Sequence, residues 1–137
     1  MRYILYNPRA NNGIKPDFLD GVEYIDVIGL DYQKFFDSLA DEDEVVFVGG
    51  DGTLNEVVNG VIGCPNAAVT HYPGGSGNDA IKIFSEPAAF TDLDRLLDAE
   101  EARLDLIRCN DSYALNVLSI GFDARVGTDI ARFKRLP

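Results

Sequence analysis

Basic residues are scarce in this sequence: 12 Lys and Arg stand against 23 Asp and Glu, a formal net charge of -11. Neutralising nucleic-acid phosphates takes clustered Lys and Arg, so a nucleic-acid partner is excluded as a main function. Broad electrostatic attraction to anionic membrane is disfavoured for the same reason. Cysteine is also sparse. Cys64 and Cys109 lie far apart and match no metal or redox spacing, which removes a disulfide scaffold and fits a reducing compartment. There is one histidine, His71, expected as a core or edge residue of a strand. No apolar run approaches the length of a membrane span. The first residues enter a strand directly, with no charged and apolar leader, so a cytoplasmic location is expected. Two nucleotide-binding signatures are missing as well. No Gly-x-x-x-x-Gly-Lys-Ser/Thr loop is present, and no Gly-x-Gly-x-x-Gly turn is followed by a well-placed ribose acid.

What is present is a strand, a glycine-rich turn and a helix. Val45 to Val48 form a short apolar run, as in a strand covered on both faces. Leu54, Val57, Val58, Val61 and Ile62 then follow the spacing of an amphipathic helix. Between them lies Gly49-Gly50-Asp51-Gly52-Thr53. Glycine allows a ligand to approach the main chain, and a helix N-terminus presents free N–H groups and partial positive charge that suit phosphate. A simpler account stands beside this one, with Thr53 as N-cap and Glu56 closing a capping box. Two further loops weigh against the simpler account. Tyr72-Pro73-Gly74-Gly75-Ser76-Gly77-Asn78-Asp79 follows the apolar run Ala67 to Val69 and precedes a helix-like stretch. Asn7-Pro8-Arg9-Ala10-Asn11-Asn12-Gly13 follows the first strand. Three polar, glycine-bearing loops at strand ends point to one shared site, because open parallel sheets bind ligands outside the carboxyl ends of their strands.

The element order predicts an α/β fold. Strands are expected near 2–6, 23–28, 45–48 and 67–72, with helices near 32–40, after residue 53, near 78–84 and near 90–99. This alternation argues a Rossmann-like parallel sheet with helices on both faces. Leu93, Leu96 and Leu97 are expected to face inward. After Ala102 the pattern changes to two successive strands, 104–108 and 112–118, with Asn110-Asp111 as the turn between them. A domain boundary is therefore placed there: 1–101 as a nucleotide-binding α/β domain and 102–137 as the start of a β-rich second domain. The acidic run Asp41 to Glu44 reads as a solvated turn, and the basic residues Arg125, Arg132, Lys134 and Arg135 as a solvated helix face. Only a short segment, containing Pro16 and Gly21, joins the first loop to the second strand.

These segments resemble the diacylglycerol kinase catalytic domain shared by diacylglycerol, sphingosine and related bacterial lipid kinases. Gly49 to Thr53 resembles the family's nucleotide loop. Pro73 with Gly75 to Asp79 is similar to its second motif, with Ser76 where Thr is usual, and Asn7-Pro8 with Ala10 and Gly13 is similar to its first. Asn116 to Ala124, which includes Gly121 and Asp123, is similar to the strand that opens the family's second domain; Asp123 there borders the cleft or serves a turn. The central loop is shared with NAD kinases; the set of motifs favours the lipid branch.

The resemblance implies transfer of the γ-phosphate of ATP to a lipid hydroxyl, diacylglycerol-like or sphingoid, with ATP and Mg²⁺ as cofactors. It implies a peripheral encounter with the membrane surface, where the lipid alcohol lies. Whether the protein forms a homodimer is open. Phosphoryl transfer needs positioned phosphates, charge compensation and an orienter for the attacking hydroxyl. On that basis Asn7, Pro8, Gly49, Gly50, Gly52, Thr53, Gly75, Ser76, Gly77 and Asn78 are candidates for nucleotide binding. Asp51 and Asp79 are the candidate catalytic carboxylates. Asp51 is expected to act through Mg²⁺ or a nucleotide hydroxyl and Asp79 on an acceptor hydroxyl or a metal, although turn and cap roles remain open for both, and no metal-ligand set is assigned. The family's general base and a structural metal site belong to its second domain, beyond Pro137, so this chain alone is expected to be inactive. The alternatives are a NAD-kinase-like phosphotransferase and a non-catalytic nucleotide-binding module.

Overall fold

The computed structural model describes residues 1–9, 21–64 and 67–115. Four strands form one parallel sheet: β1 (Arg2–Tyr6), β2 (Glu23–Asp26), β3 (Glu44–Gly49) and β4 (Thr70–Pro73). Their spatial order is β2-β1-β3-β4. In register, Leu5 lies beside Phe47 and Ile4 beside Val46, while Phe47 lies beside His71. The centre of the sheet is buried on both faces. Leu5 and Phe47 point one way, Ile4 and Val46 the other, and all four have 0% exposure. That explains the unbroken apolar run of β3: a strand covered on both sides has no solvent face to make polar.

Two helices cover the Leu5–Phe47 face: α1 (Tyr32–Asp37) and α2 (Asp51–Val61). The helix α1 starts where the Asp31 carboxylate accepts the Lys34 N–H at 3.1 Å, an N-cap that satisfies one orphan donor. Its Phe35 ring meets Tyr3 edge-on, with centroids 5.5 Å apart. Leu54 and Val57 of α2 are buried, with Val58 and Val61 packed against the same cluster. Where α1 crosses α2, Gly60 leaves room for the Tyr32 ring, since a Cβ there would stand 2.3 Å from Tyr32 Cδ2. Burial first, and then the Glu56 charge, push the Tyr32 hydroxyl up to about 12.

Beyond β4 the chain makes two 3-10 turns, Asp79–Ile83 and Pro87–Thr91, and then α3 (Leu93–Leu97). In α3, Leu93, Leu96 and Leu97 are half-buried while Asp94 and Arg95 are exposed, so the expected inward face is observed. Last comes an antiparallel hairpin, β5 (Ile107–Cys109) and β6 (Ser112–Ala114), turned at Asn110 with φ 53°.

The parallel α/β architecture agrees with the sequence pattern, and several boundaries move. The strand expected near 67–72 is β4, over residues 70–73. The strand expected to reach Ile28 ends at Asp26, where the Asp26 carboxylate bonds the Ile28 N–H at 2.8 Å and turns the chain. The helix expected to reach Ala40 ends at Asp37, with the Ser38 hydroxyl donating to the Phe35 carbonyl at 2.7 Å. The stretch expected as a helix near 78–84 is a 3-10 turn entered from left-handed Asn78. The helix expected near 90–99 is split, because Pro87 opens a 3-10 turn and Asp92 caps α3 at the Arg95 N–H, 3.2 Å away. The strand expected at 104–108 begins later, at Ile107. The acidic run before β3 is more than a solvated turn: Arg2 pairs with Glu44 at 2.6 Å between the starts of the two central strands. The motif at 116–124, the basic residues at 125–135 and the short connection through Pro16 lie outside the described residues.

Candidate functional site

The order β2-β1-β3-β4 reverses direction between β1 and β3. At such a switch point the loops leaving two adjacent strands part and open a crevice. The loops after β1, β3 and β4 meet at this end of the sheet, joined by three contacts.

The first contact joins the β1 loop to α2. Asn7 Nδ2 donates to Thr53 Oγ1 at 3.3 Å, while Asn7 Oδ1 accepts the Arg9 N–H at 2.9 Å. Asn7 therefore makes an Asx turn ahead of half-buried Pro8 and also reaches the neighbouring loop. By accepting that bond, the Thr53 hydroxyl keeps its own proton to donate. This overturns the capping box. Helix α2 begins at Asp51, two residues earlier, with extended Gly50 as N-cap and no side-chain cap bond. Leu54 N–H bonds the Gly50 carbonyl at 2.9 Å. Thr53 is buried inside the first turn, and Glu56 is exposed. The N–H groups of Asp51, Gly52 and Thr53 thus belong to a helix start that no side chain caps.

The second contact is backbone against backbone. A Cβ on Gly75 would stand 2.5 Å from Gly50 Cα, and one on Gly50 would stand 3.0 Å from Gly75 Cα. Only two glycines allow this approach. The Gly74 N–H donates to the Gly49 carbonyl at 2.9 Å. His71 Nε2 lies 3.1 Å from that same carbonyl and must be its donor, since a carbonyl only accepts. The imidazole is buried and stacks on Phe47, with centroids 5.3 Å apart. Burial holds its pKa below the ordinary histidine value, more strongly than the Gly49 bond and the Asp51 charge raise it. It is a core histidine that braces two loops.

The third contact is made by Asp51. Its Oδ1 accepts the Ala80 N–H at 2.9 Å. Burial works to raise the Asp51 pKa. The Asp79 and Ala80 N–H groups and nearby His71 outweigh it, so the carboxyl sits below its usual range. The second loop is folded on itself by Asn78, whose amide donates to the Gly75 carbonyl at 2.8 Å while its oxygen accepts the Gly75 N–H at 2.9 Å. Asn78 takes φ 49°, a left-handed conformation that asparagine tolerates. Ser76 and Gly77 are exposed at the tip, so Ser76 does not cap the following turn. Asp79 pairs with Lys82, whose ammonium is pushed to a higher pKa by that bond.

Gly77 lies between the two acids: a Cβ there would be 3.2 Å from Asp51 Oδ2 and 3.7 Å from Asp79 Oδ2. Among the described residues no group of three His, Cys, Asp or Glu side chains could hold a metal. Two neighbouring carboxylates do fit the Mg²⁺ habit of taking one or two protein oxygens alongside substrate phosphates. Beside them is a cleft of about 210 Å³ bordered by Asp51, Asp79, Leu54, Ala80, Ala114 and Leu115. Its far wall comes from the end of β6, which Asn59 of α2 ties down.

Sequence reasoning passed over Asn55, Asn59 and Gly60. The signal was there: two asparagines and a glycine, poor helix formers, inside a helix otherwise patterned for burial.

A sequence model described as the diacylglycerol kinase catalytic domain matches residues 2–109. The chain belongs to this family. The match begins at β1 and ends at the last residue of β5. Proteins named "Putative lipid kinase" are also similar to it. One from Staphylococcus epidermidis is 38% identical over 84 residues, covering 60% of this chain and 27% of its own. One from Staphylococcus carnosus is 38% identical over 101 residues, covering 68% and 33%. One from Staphylococcus aureus is 34% identical over 83 residues, covering 59% and 27%. The chain thus spans about a third or less of the length of these relatives. No solved structure matches it. No helix among the described residues is long and apolar enough to cross a membrane.

Proposed function

We propose that this chain is the nucleotide-binding part of a lipid kinase that moves the γ-phosphate of ATP to a lipid hydroxyl. One observation carries the reading beyond family membership. Three loops are tied around the uncapped start of α2, by Asn7 to Thr53, Gly50 against Gly75, and Asp51 to Ala80. Backbone N–H groups at Gly50, Gly52 and Thr53 suit phosphate oxygens, and the Thr53 proton adds a donor. The glycine contact keeps side chains out of the space that phosphates need. Gly50 and Gly75 supply the close backbone, the Gly49 carbonyl ties the two loops through the Gly74 N–H, Asn78 keeps the second loop's shape, and Asn7 with Pro8 closes the β1 side. Ser76 and Gly77 at the loop tip face the nucleotide.

In the transfer, the bond from the γ-phosphorus to the leaving oxygen of ADP breaks and a bond to the acceptor oxygen forms. The acceptor proton leaves to a base, which by resemblance lies in the family's second domain. Asp79, with Oδ1 taken by Lys82, orients the acceptor hydroxyl through Oδ2. Asp51 would hold Mg²⁺ together with the phosphates, where it supplies charge neutralisation, with Asp79 joining it where its Oδ2 serves the metal instead of the acceptor. Asp51, ionised across the physiological range and anchored to Ala80, is suited to that part.

The acceptor would be met at the membrane surface by a protein that does not span it, from the cytoplasm. Residues 1–101 would form the nucleotide domain and 102–137, with the hairpin, the opening of a second one, so that the chain alone does not turn over.

The test is transfer of labelled γ-phosphate from Mg-ATP to a panel of lipid alcohols and NAD by the full-length protein, with this chain as control. Labelled lipid from the longer form alone is expected, and Asp51→Ala should abolish it. Labelled NAD would move the assignment to the NAD-kinase branch. No product would leave a nucleotide-binding module, and activity unchanged by Asp51→Ala would take the catalytic role away from this chain's loops.

A further inference from the structure

Among the described residues, the hydrogen bonds between α2 and the hairpin run through Asn59. The hairpin's two-residue turn fixes the pairing Cys109 with Ser112, Arg108 with Tyr113 and Ile107 with Ala114. In an antiparallel ladder, bonded and non-bonded pairs alternate. A two-residue turn closes on a bonded pair, so the next pair, Arg108 with Tyr113, is non-bonded. The N–H and carbonyl of Tyr113 therefore point away from β5. Asn59 takes both: its Nδ2 donates to the Tyr113 carbonyl at 2.7 Å, and its Oδ1 accepts the Tyr113 N–H at 2.8 Å. The second amide proton donates to the Asn55 carbonyl one turn back, at 2.8 Å, which locks the carboxamide in plane. A helix side chain thus acts as a missing strand beside β6. The residues next to Tyr113 are Ala114 and Leu115, which wall the cleft opposite Asp51 and Asp79.

We infer that Asn59 is a positioning residue: its carboxamide holds Tyr113 and so sets Ala114 and Leu115 at the distance from Asp51 and Asp79 that an acceptor alcohol requires. The inference rests on the lipid-kinase reading for the identity of that acceptor. The apolar side of the cleft (Leu54, Ala80, Ala114 and Leu115) suits the acceptor, whereas the glycine loops carry the N–H groups for phosphate. Asn59 touches neither reactant. Its loss should therefore weaken the fit of the acceptor and spare the nucleotide.

The experiment compares Asn59→Leu and Asn59→Gln with the parent in the full-length protein. Leucine matches the size and favours the helix but makes neither bond; glutamine keeps a donor and an acceptor. In Asn59→Leu the Tyr113 amide should exchange its hydrogen roughly tenfold to a hundredfold faster, with β1, β3 and α2 amides and the melting temperature held. The KM for the lipid alcohol should rise by about fivefold or more while that for ATP changes by less than about twofold. Asn59→Gln should recover part of both losses. Unchanged Tyr113 exchange in Asn59→Leu overturns the proposal. So does a parallel rise in both KM values, a failure of Asn59→Gln to recover anything, or unfolding of the whole protein by Asn59→Leu, since each makes the residue a general support. If the parent phosphorylates no acceptor, the kinase reading fails by itself. The exchange at Tyr113, Ala114 and Leu115 then decides whether Asn59 holds this wall.

Discussion

The parallel sheet and the β5–β6 hairpin are held by opposite kinds of force. In the sheet, Ile4, Leu5, Val46 and Phe47 are fully buried, and the attraction among them is non-directional. In the hairpin every residue of β5 is exposed, Ile107 by 45%, and two hydrogen bonds to Asn59 fasten β6 to α2. Buried apolar contacts must be broken together, so a core opens globally or not at all. A hairpin with little buried surface can open by itself. The rigid part carries the three loops around the start of α2 and the hairpin side carries one wall of the cleft. On the kinase reading proposed above, that division would hold the phosphates fixed while an acceptor enters and leaves.

Phe47→Ala should break the sheet side of this comparison most severely. The lost ring leaves a cavity under α2 and takes away the surface on which His71 stacks, at a cost of about 3–5 kcal/mol in denaturant unfolding. Amide exchange in β1 and β3 should accelerate with the fall in global stability. Exchange in β5 and β6, governed by local opening, should change little; equal acceleration in both would show that they open as one unit.

Gly75→Ala should have the next largest effect. Its methyl group would meet Gly50 Cα at 2.5 Å and Asn78 Oδ1 at 3.0 Å. Backbone must move, at about 1–3 kcal/mol, and nucleotide affinity measured by calorimetry should fall while Tyr113 exchange stays as it is. A Gly52→Ala control, where a Cβ meets nothing within 4 Å, should fold normally.

His71 supplies a pH signature for the sheet alone. Its folded pKa is below the unfolded value of about 6.5. The unfolded chain therefore binds a proton that the folded chain refuses. Stability is fully present above the unfolded pKa and declines as pH falls from there towards the folded pKa. Because there is one histidine, the slope of unfolding free energy between about pH 5 and 7 should flatten in His71→Gln. The hairpin's local opening should show no such slope.

The smallest effect should come from Arg2→Ala. The partner Glu44 is about half exposed, and a solvent-screened pair of this kind contributes about 0–1 kcal/mol. Thermal melts in low and high salt should differ little between the variant and the parent.

The sheet was legible in the sequence because burial leaves a pattern. Val45 to Val48 could be read as a doubly covered strand, and Leu54, Val57 and Val58 as a helix face, since periodicity reports which side meets the core. The glycine loops were legible as a set, because their composition makes sense only at strand ends. The ends of elements were less so. Thr53 has the composition of an N-cap, yet Asn7, 46 residues away, takes its hydroxyl. The left-handed Asn78 turned an expected helix into a 3-10 turn.

The sequence by itself determined the parallel α/β class, the family and the three loops that would have to meet. Tertiary structure alone decided that Gly50 and Gly75 touch, that Asp51 spends one oxygen on Ala80, and that Asn59 serves as a strand for Tyr113. The physical reason is range. Hydrophobic periodicity is a local record of burial, whereas a backbone contact or a hydrogen bond between residues 54 apart depends on strand order and register, which no single segment encodes.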